Sequence, residues 1–242
     1  MCRTTRRLNL KLIKAHGTNY RNIVDTDPVA IGQTTCLVGK NEAGKSAFLK
    51  ALEGIRSTDP QFTEYGKVTN YPRRMLSEYK SVYGDGEALV MRTEWSLEPG
   101  DVAAVAAAFG DKALSGDVVT ISKSYEQTNT NWDVPFIAKA ALDHLVREHE
   151  LPDEDRAVLE TALTTQKAAE ALEGLGSRTE PQQALLDAIA KFREKSANLQ
   201  AIDILSERTP KFMYFSHYDR MSGELSIDKL NEDEQRGLSM SS

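Results

Sequence analysis

The chain has 242 residues, of which 40% are hydrophobic and 27% charged, and its net charge is −6. That length buries a real core, as one large domain or one domain with an insertion, and an acidic balance excludes a protein held to nucleic acid by overall charge, leaving only a local basic patch for that role. Two cysteines, Cys2 and Cys36, make no disulfide framework; no run approaches the roughly eighteen apolar residues of a membrane helix, so a cytoplasmic protein without a membrane partner is expected.

The first seven residues are basic, but residues 8–13 are too short and too interrupted by lysine for the apolar part of a signal peptide. Residues 8–38 read as strands. Leu10, Leu12 and Lys14 alternate with Lys11 and Ile13, a polar turn runs from Thr18 to Asn22, and Ile23-Val24 and Val29-Ala30-Ile31 follow. Thr34-Thr35-Cys36-Leu37-Val38 is apolar and β-branched and predicts a further strand, with Cys36 a small buried hydrophobe. It leads into Gly39-Lys40-Asn41-Glu42-Ala43-Gly44-Lys45-Ser46, which fits the phosphate-loop pattern G-x-x-x-x-G-K-[ST]. Ala47 onward has helical spacing, with Phe48, Leu52 and Ile55 on one face.

The residue types of this loop match a chemistry. A loop that wraps triphosphate must aim successive backbone N–H groups inward, and the angles this takes are ones that a Cβ resists. Gly39 and Gly44 are the expected hinges. The N–H groups of Gly44, Lys45, Ser46 and Ala47 open the helix without intrahelical acceptors and, with the helix dipole, make an anion site. Lys45 would reach the β- and γ-phosphates, and the Ser46 hydroxyl is placed for Mg²⁺.

Residues 57–86 are rich in Pro, Gly, Tyr and charge without a clean period and predict a long surface connection, with a short helix near residues 73–79. Residues 88–97 and 118–125 alternate apolar and polar as half-solvated antiparallel strands. Between them residues 101–110 predict a short helix, Asp101 at its start and Gly110 at its end. From Phe136 the period changes to three and four. Helices are expected near 136–149, 153–173 and 180–206, with Pro152 and Pro181 at starts and a composition that suits a helical subdomain or a coiled-coil-like arm. Phe212-Met213-Tyr214-Phe215 predicts a return to strand, and the tail from Asn231 is polar. This reading gives an α/β fold: a P-loop lobe over 1–135 with a mixed or antiparallel sheet, an inserted helical subdomain over 136–209, and a strand with a tail over 210–242.

Residues 10–23, with Asn19-Tyr20-Arg21-Asn22-Ile23, resemble the opening N-[FY]-[RK]-x-[IVF] hairpin of ABC-type ATPases of the RecF, SMC and overcoming-lysogenization-defect (OLD) group. Residues 38–52 are close to the loop that those proteins carry, G-x-N-x-[SA]-G-K-S-x-[FL]-L-x-A-[LI]. The resemblance is sharp over 8–56 and architectural from there to about 216. It implies an ATP-binding lobe in which Arg21 and Asn41 approach the nucleotide, a second ATPase head or a further lobe as partner, and DNA as a possible partner. DNA repair or phage defence comes from the family alone.

The departures bear on turnover. Such ATPases carry an acidic Walker B strand, four apolar residues followed by Asp and Glu. Here Ser216, His217 and Tyr218 separate Phe212–Phe215 from Asp219, and Arg220 stands in the place of Glu. The L-S-x-G-[QE] signature is matched only faintly by Met221-Ser222-Gly223-Glu224. The chain reads as the front of a longer ATPase or as a naturally short relative, incomplete for hydrolysis by itself. Two other readings stay open: a self-contained P-loop kinase or GTPase, for which Asn-Lys-x-Asp and D-x-x-G are missing, and a nucleotide-sensing interaction module. His16, His144, His149 and His217 lack metal-ligand spacing.

Overall fold

Six strands form one open sheet in the computed structural model, which describes residues 10–40, 42–84 and 86–215. They are β1 (Lys11–Tyr20), β2 (Ile23–Asp25), β3 (Val29–Ala30), β4 (Leu89–Ser96), β5 (Val118–Ser124) and β6 (Asn131–Asp133). The order is β2-β1-β4-β5-β6, with β3 following β2 along the same strand β1, and each of these pairings is antiparallel. The fold is therefore mixed α/β with an open antiparallel sheet and several helices. All the elements named below lie in one unit that ends at Phe212.

Alternation explains the sheet. Ala15, Met91, Thr93, Trp95, Val119 and Ile121 are buried on one face. On the other, strand register sets His16 beside Arg92 and Ser122, and Lys14 beside Glu94 and Thr120. Lys14 Nζ meets Glu94 Oε2 at 2.8 Å. Helix α1 (Lys45–Glu53) lies on the buried face against β1 and β4, presenting Ala47, Phe48, Ala51 and Leu52. Burial of side chains the size of Phe48 and Leu52 contributes about 1.5–3 kcal/mol each. Close approach is possible because β1 carries Gly17, where a Cβ would stand 3.2 Å from the Phe48 ring.

The segment expected as a surface connection supplies core instead. It contains α2 (Lys67–Asn70), a 3₁₀ turn over Arg73–Glu78 and α3 (Tyr79–Tyr83). Tyr65, Tyr71 and Tyr79 are buried in it and join Tyr20, Phe62 and Tyr125 in a cluster of edge-to-face contacts, with centroids 5.7 Å apart for Tyr20–Tyr65 and 4.8 Å for Tyr71–Tyr79. The hydroxyls are satisfied within the fold. Tyr65 donates to the Ala51 carbonyl, Tyr79 to Glu87 and Tyr125 to the Asn19 carbonyl. Periodicity missed this because Tyr65 and Tyr71 come from irregular backbone and Tyr79 opens a helix of five residues, too short for a repeat of 3.6 to show.

The helical region is more broken than the sequence predicts. Beyond α4 (Pro99–Phe109) come α5 (Ala138–Glu148), α6 (Asp153–Arg156), α7 (Thr165–Glu173), α8 (Glu180–Ala190) and α9 (Ala197–Arg208). Thr164, Thr179 and Ser196 each accept a backbone N–H at a helix start, so what reads as long helices is divided by side-chain caps. Near residue 194 the chain turns through left-handed Glu194 and Lys195. Helices this short do not make a coiled-coil arm. Their buried faces divide between two cores: α9 puts Ala197, Ala201 and Leu205 into the core with the sheet, while Leu142, Leu145, Leu172, Leu185 and Ile189 form a second core. Asp101 in α4 is fully buried and takes Arg208 Nε of α9 at 2.6 Å.

Two expected strands are absent. Residues 34–38 are irregular, with Cys36 exposed and Val38 90% exposed. A strand exists only through a neighbour's hydrogen bonds, and no described strand pairs there. Residues 212–215 reduce to one parallel bridge, Ser57 with Phe212, held by Phe212 N–H to the Arg56 carbonyl at 2.8 Å and Thr58 N–H to the Phe212 carbonyl at 2.9 Å. Strand β6, not foreseen, closes the sheet beyond β5.

Candidate functional site

The loop over residues 39–46 opens α1, with Gly44 as the N-cap at φ 89°. Glycine is needed here on two grounds: the left-handed backbone, and the Ile23 side chain, 3.0 Å from where a Cβ would stand. Among the described loop residues Glu42 is also left-handed, at φ 70°. Gly39, expected as a hinge, does not have a left-handed φ. Lys40, Glu42, Ala43 and Ser46 are exposed, Lys45 is half-buried, and Gly44 and Ala47 are buried. Asn41 lies outside the described residues, as do Asp219 and residues 221–224.

Lys45 folds back over its own loop. Its Nζ donates to the Gly39 and Lys40 carbonyls, both at 2.6 Å. The ammonium thus sits within the curve of the loop beside the first turn of α1, whose N–H groups have no intrahelical acceptors. The Ala43 N–H is turned to the Lys40 carbonyl at 3.2 Å, and Phe48 N–H to Gly44 at 2.8 Å begins the helix ladder.

The β1–β2 hairpin packs on this loop. Tyr20 pairs with Ile23, so Arg21 and Asn22 form the turn between them. Asn22 Nδ2 donates to the Glu42 carbonyl at 2.5 Å. Arg21, at φ 56°, turns the other way: its N–H donates to the Asn70 carbonyl, its Nε lies 3.5 Å from Asn70 Oδ1, and its guanidinium is 5.5 Å from the Tyr20 ring. Arg21 is thus directed to α2, and the turn residue bonded to the loop is Asn22, which the sequence did not single out. The signal available was the two-residue spacing between Tyr20 and Ile23.

An open cleft of about 380 Å³ lies between hairpin and loop, lined among others by Ile23, Val29, Leu37, Gly44, Lys45 and Phe48. Asp25 is the carboxylate on its lining. His16 Nε2 is 2.8 Å from it and the Asp27 N–H donates to it at 2.7 Å, and these bonds, that with His16 first, hold its pKa below the usual range. A second cleft of similar size, against α5 and α6, carries charges already paired on its wall, Lys139 with Asp143 and Arg156 with Asp153.

The far end of α1 is anchored from beneath. Lys123 is 4% exposed, and its Nζ donates to the carbonyls of Gly54 at 3.3 Å and Thr63 at 3.0 Å, with Phe62 and Tyr65 rings around it. Burial pulls its pKa below the ordinary lysine value. A cation at a helix C-terminus satisfies carbonyls left without partners, so loop and helix are held at both ends.

Among the described residues no group of three or more His, Cys, Asp or Glu side chains is arranged to hold a metal ion, and no helix is long and apolar enough to cross a membrane. Compared with known proteins, the chain matches no family model and no curated protein.

Proposed function

We propose that the chain binds ATP with Mg²⁺ through residues 39–47, as the nucleotide-binding lobe of an ATPase of the RecF/SMC/OLD kind. The observation that carries this reading is Lys45. Its ammonium is held within the curve of a loop that ends in left-handed Gly44 and runs into the first turn of α1. Such a loop accepts an anion, because the helix start offers N–H groups and the lysine exchanges carbonyl partners for charged oxygens.

Among the described loop residues Mg²⁺ would be met by Ser46. Ser46 offers an exposed hydroxyl at the start of α1, and a hard ion that keeps several waters needs few protein ligands when it arrives on phosphate oxygens. Bound there, it would neutralise charge between the β- and γ-phosphates. What this chain's own residues do is grip: loop N–H groups and Lys45 hold the phosphates equally in ground and transition states, and equal grip does not raise turnover. Asp25 is already engaged by His16 and Asp27 and is a weak base. On this reading the carboxylate for turnover comes from a partner head or a further lobe rather than from the described residues at the loop. DNA belongs to this proposal only as the resembled family's partner.

Calorimetric titration of ATP and Mg²⁺ tests the grip. Lys45→Ala should weaken binding roughly ten- to a hundredfold, the equivalent of a charge-assisted contact; equal affinity for the two proteins refutes the assignment. Phosphate release by the chain alone should stay well below roughly one per second, the low end of ordinary enzymes. A Lys45-dependent rate near that value from a monomer would show that a catalytic carboxylate is already in place.

A further inference from the structure

We infer that Asn22 is a positioning residue for the phosphate loop, acting by holding the peptide between Glu42 and Ala43 with its carbonyl turned away from the phosphate cradle. The inference rests on the phosphate-binding reading and adds a residue that the loop pattern does not contain.

Glu42 is a non-glycine residue at φ 70°. Such a conformation costs on the order of 1–3 kcal/mol and persists only where neighbours impose it. The neighbour here is the hairpin turn. Asn22 Nδ2 donates to the Glu42 carbonyl oxygen, and next to it Ile23 packs against Gly44, so a Cβ on Gly44 would also lie 3.7 Å from Asn22 Nδ2. Turn and loop thus meet through a hydrogen bond from Asn22 and an apolar contact from Ile23, on successive residues.

Peptide direction matters in an anion cradle because each peptide is a dipole. With N–H groups inward, the positive end faces the phosphate. If the peptide following Glu42 flips, its carbonyl oxygen turns inward and presents partial negative charge to a polyanion. Two bonds oppose that flip: the Asn22 amide donates to the Glu42 carbonyl, and the Ala43 N–H of the same peptide is held by the Lys40 carbonyl at 3.2 Å, so Asn22 supplies the restraint that comes from outside the loop. The turn itself is fixed from behind: Arg21 N–H to the Asn70 carbonyl, and Tyr125 hydroxyl to the Asn19 carbonyl. Asn22 therefore delivers its amide from a rigid support. Because it acts on the loop rather than on the nucleoside, its removal should affect any polyphosphate alike.

The experiment is calorimetric titration with inorganic tripolyphosphate and, separately, ATP. The proteins are the wild type, Lys45→Ala, Asn22→Ala, Asn22→Asp and Asn22→Gln, each with its thermal midpoint recorded. Asn22 is exposed, and its loss should leave the midpoints almost unchanged. Asn22→Ala should weaken both ligands about five- to tenfold, as loss of one neutral hydrogen bond implies. Asn22→Asp, which cannot donate and adds a negative charge, should lose more. Asn22→Gln, which keeps the donor, should recover most of the affinity. Hydrogen exchange at Ala43 to Lys45 should quicken in Asn22→Ala, and this readout serves even if one variant proves unstable. Wild-type affinity in Asn22→Ala, with affinity lost in Lys45→Ala, would overturn the inference and leave the phosphate site standing. A loss confined to ATP would overturn it too, by showing that Asn22 touches the nucleoside. Unchanged binding in Lys45→Ala would remove the phosphate site itself, and the inference with it.

Discussion

Two glycines in equivalent backbone positions should respond to alanine with opposite signs. Gly54 caps α1 at φ −65°, ψ −11°, and Gly174 caps α7 at φ −71°, ψ −11°. Both conformations suit alanine, and replacing glycine at such a site stabilises by about 0.4–1 kcal/mol through the unfolded chain. The surroundings differ. At Gly174 a Cβ would meet only the carbonyl oxygens of Ala171 and Glu170 at 3.5 Å, an ordinary contact. At Gly54 it would stand 2.5 Å from Tyr65 Cε1 and 2.6 Å from Phe62 Cζ. Tyr65 cannot withdraw, since it is fully buried, is packed by Tyr20 and Phe62, and donates its hydroxyl to Ala51 in the same helix. Overpacking of this kind costs about 1–3 kcal/mol, and loss of the Tyr65 hydrogen bond adds about 1 kcal/mol. Gly54→Ala should therefore destabilise by about 1–3 kcal/mol net, and Gly174→Ala should stabilise by up to about 1 kcal/mol. For a chain of this size each kcal/mol moves the thermal midpoint by about 2–4 °C, so calorimetry should place the two variants on opposite sides of wild type. A Gly54→Ala midpoint at or above wild type would refute the packing argument; a lowered midpoint for both would refute the backbone argument.

Arg208→Ala should cost about 3 kcal/mol in urea unfolding, because it strips a buried carboxylate, Asp101, of its cation; Asp101→Asn should cost less, and equal costs would argue against an uncompensated buried charge. Alkaline pH should unfold the protein through its tyrosines. Burial raises the pKa of Tyr65 and Tyr125, and pushes that of Tyr79 up to about 12. The folded state then binds more protons than the unfolded one above the ordinary tyrosine value, so the stability these groups contribute is complete below about pH 10 and is lost as the pH rises toward 12. Buried Lys123 works in the opposite sense as the pH approaches the normal lysine range, but it is one group against several. Urea midpoints measured from pH 9 to 12, beside the phenolate absorbance, should fall together with tyrosine ionisation, and Tyr79→Phe should flatten the fall; a rising midpoint over that range would refute the assignment.

Much of the fold was legible wherever burial follows a local period. In β5, and in β4 from Met91 onward, every second side chain enters the core, and in α1 Phe48 and Leu52 meet the sheet because 3.6 residues make a turn, with Ile55 buried just past the helix end. These elements need no knowledge of what lies across from them. The loop was legible for a related reason: glycine at 44, lysine at 45 and a hydroxyl at 46 are local demands of an anion site. The remaining features depended on partners distant in sequence. Residues 34–38 have the composition of a strand, but a strand is completed by hydrogen bonds from elsewhere. The tyrosines at 65 and 71 come from irregular backbone, that at 79 from a five-residue helix, and all three are buried because Tyr20 and Tyr125 arrive from β1 and the end of β5. Lys123 reads as a polar position in a strand, and only the carbonyls of Gly54 and Thr63 account for its burial. Arg21 and Asn22 are adjacent in one turn, yet the fold sends one to Asn70 and the other to Glu42. Pattern along the chain carries the sign of burial, whereas the identity of a hydrogen-bond partner is a property of two segments at once, and only the tertiary structure brings them together.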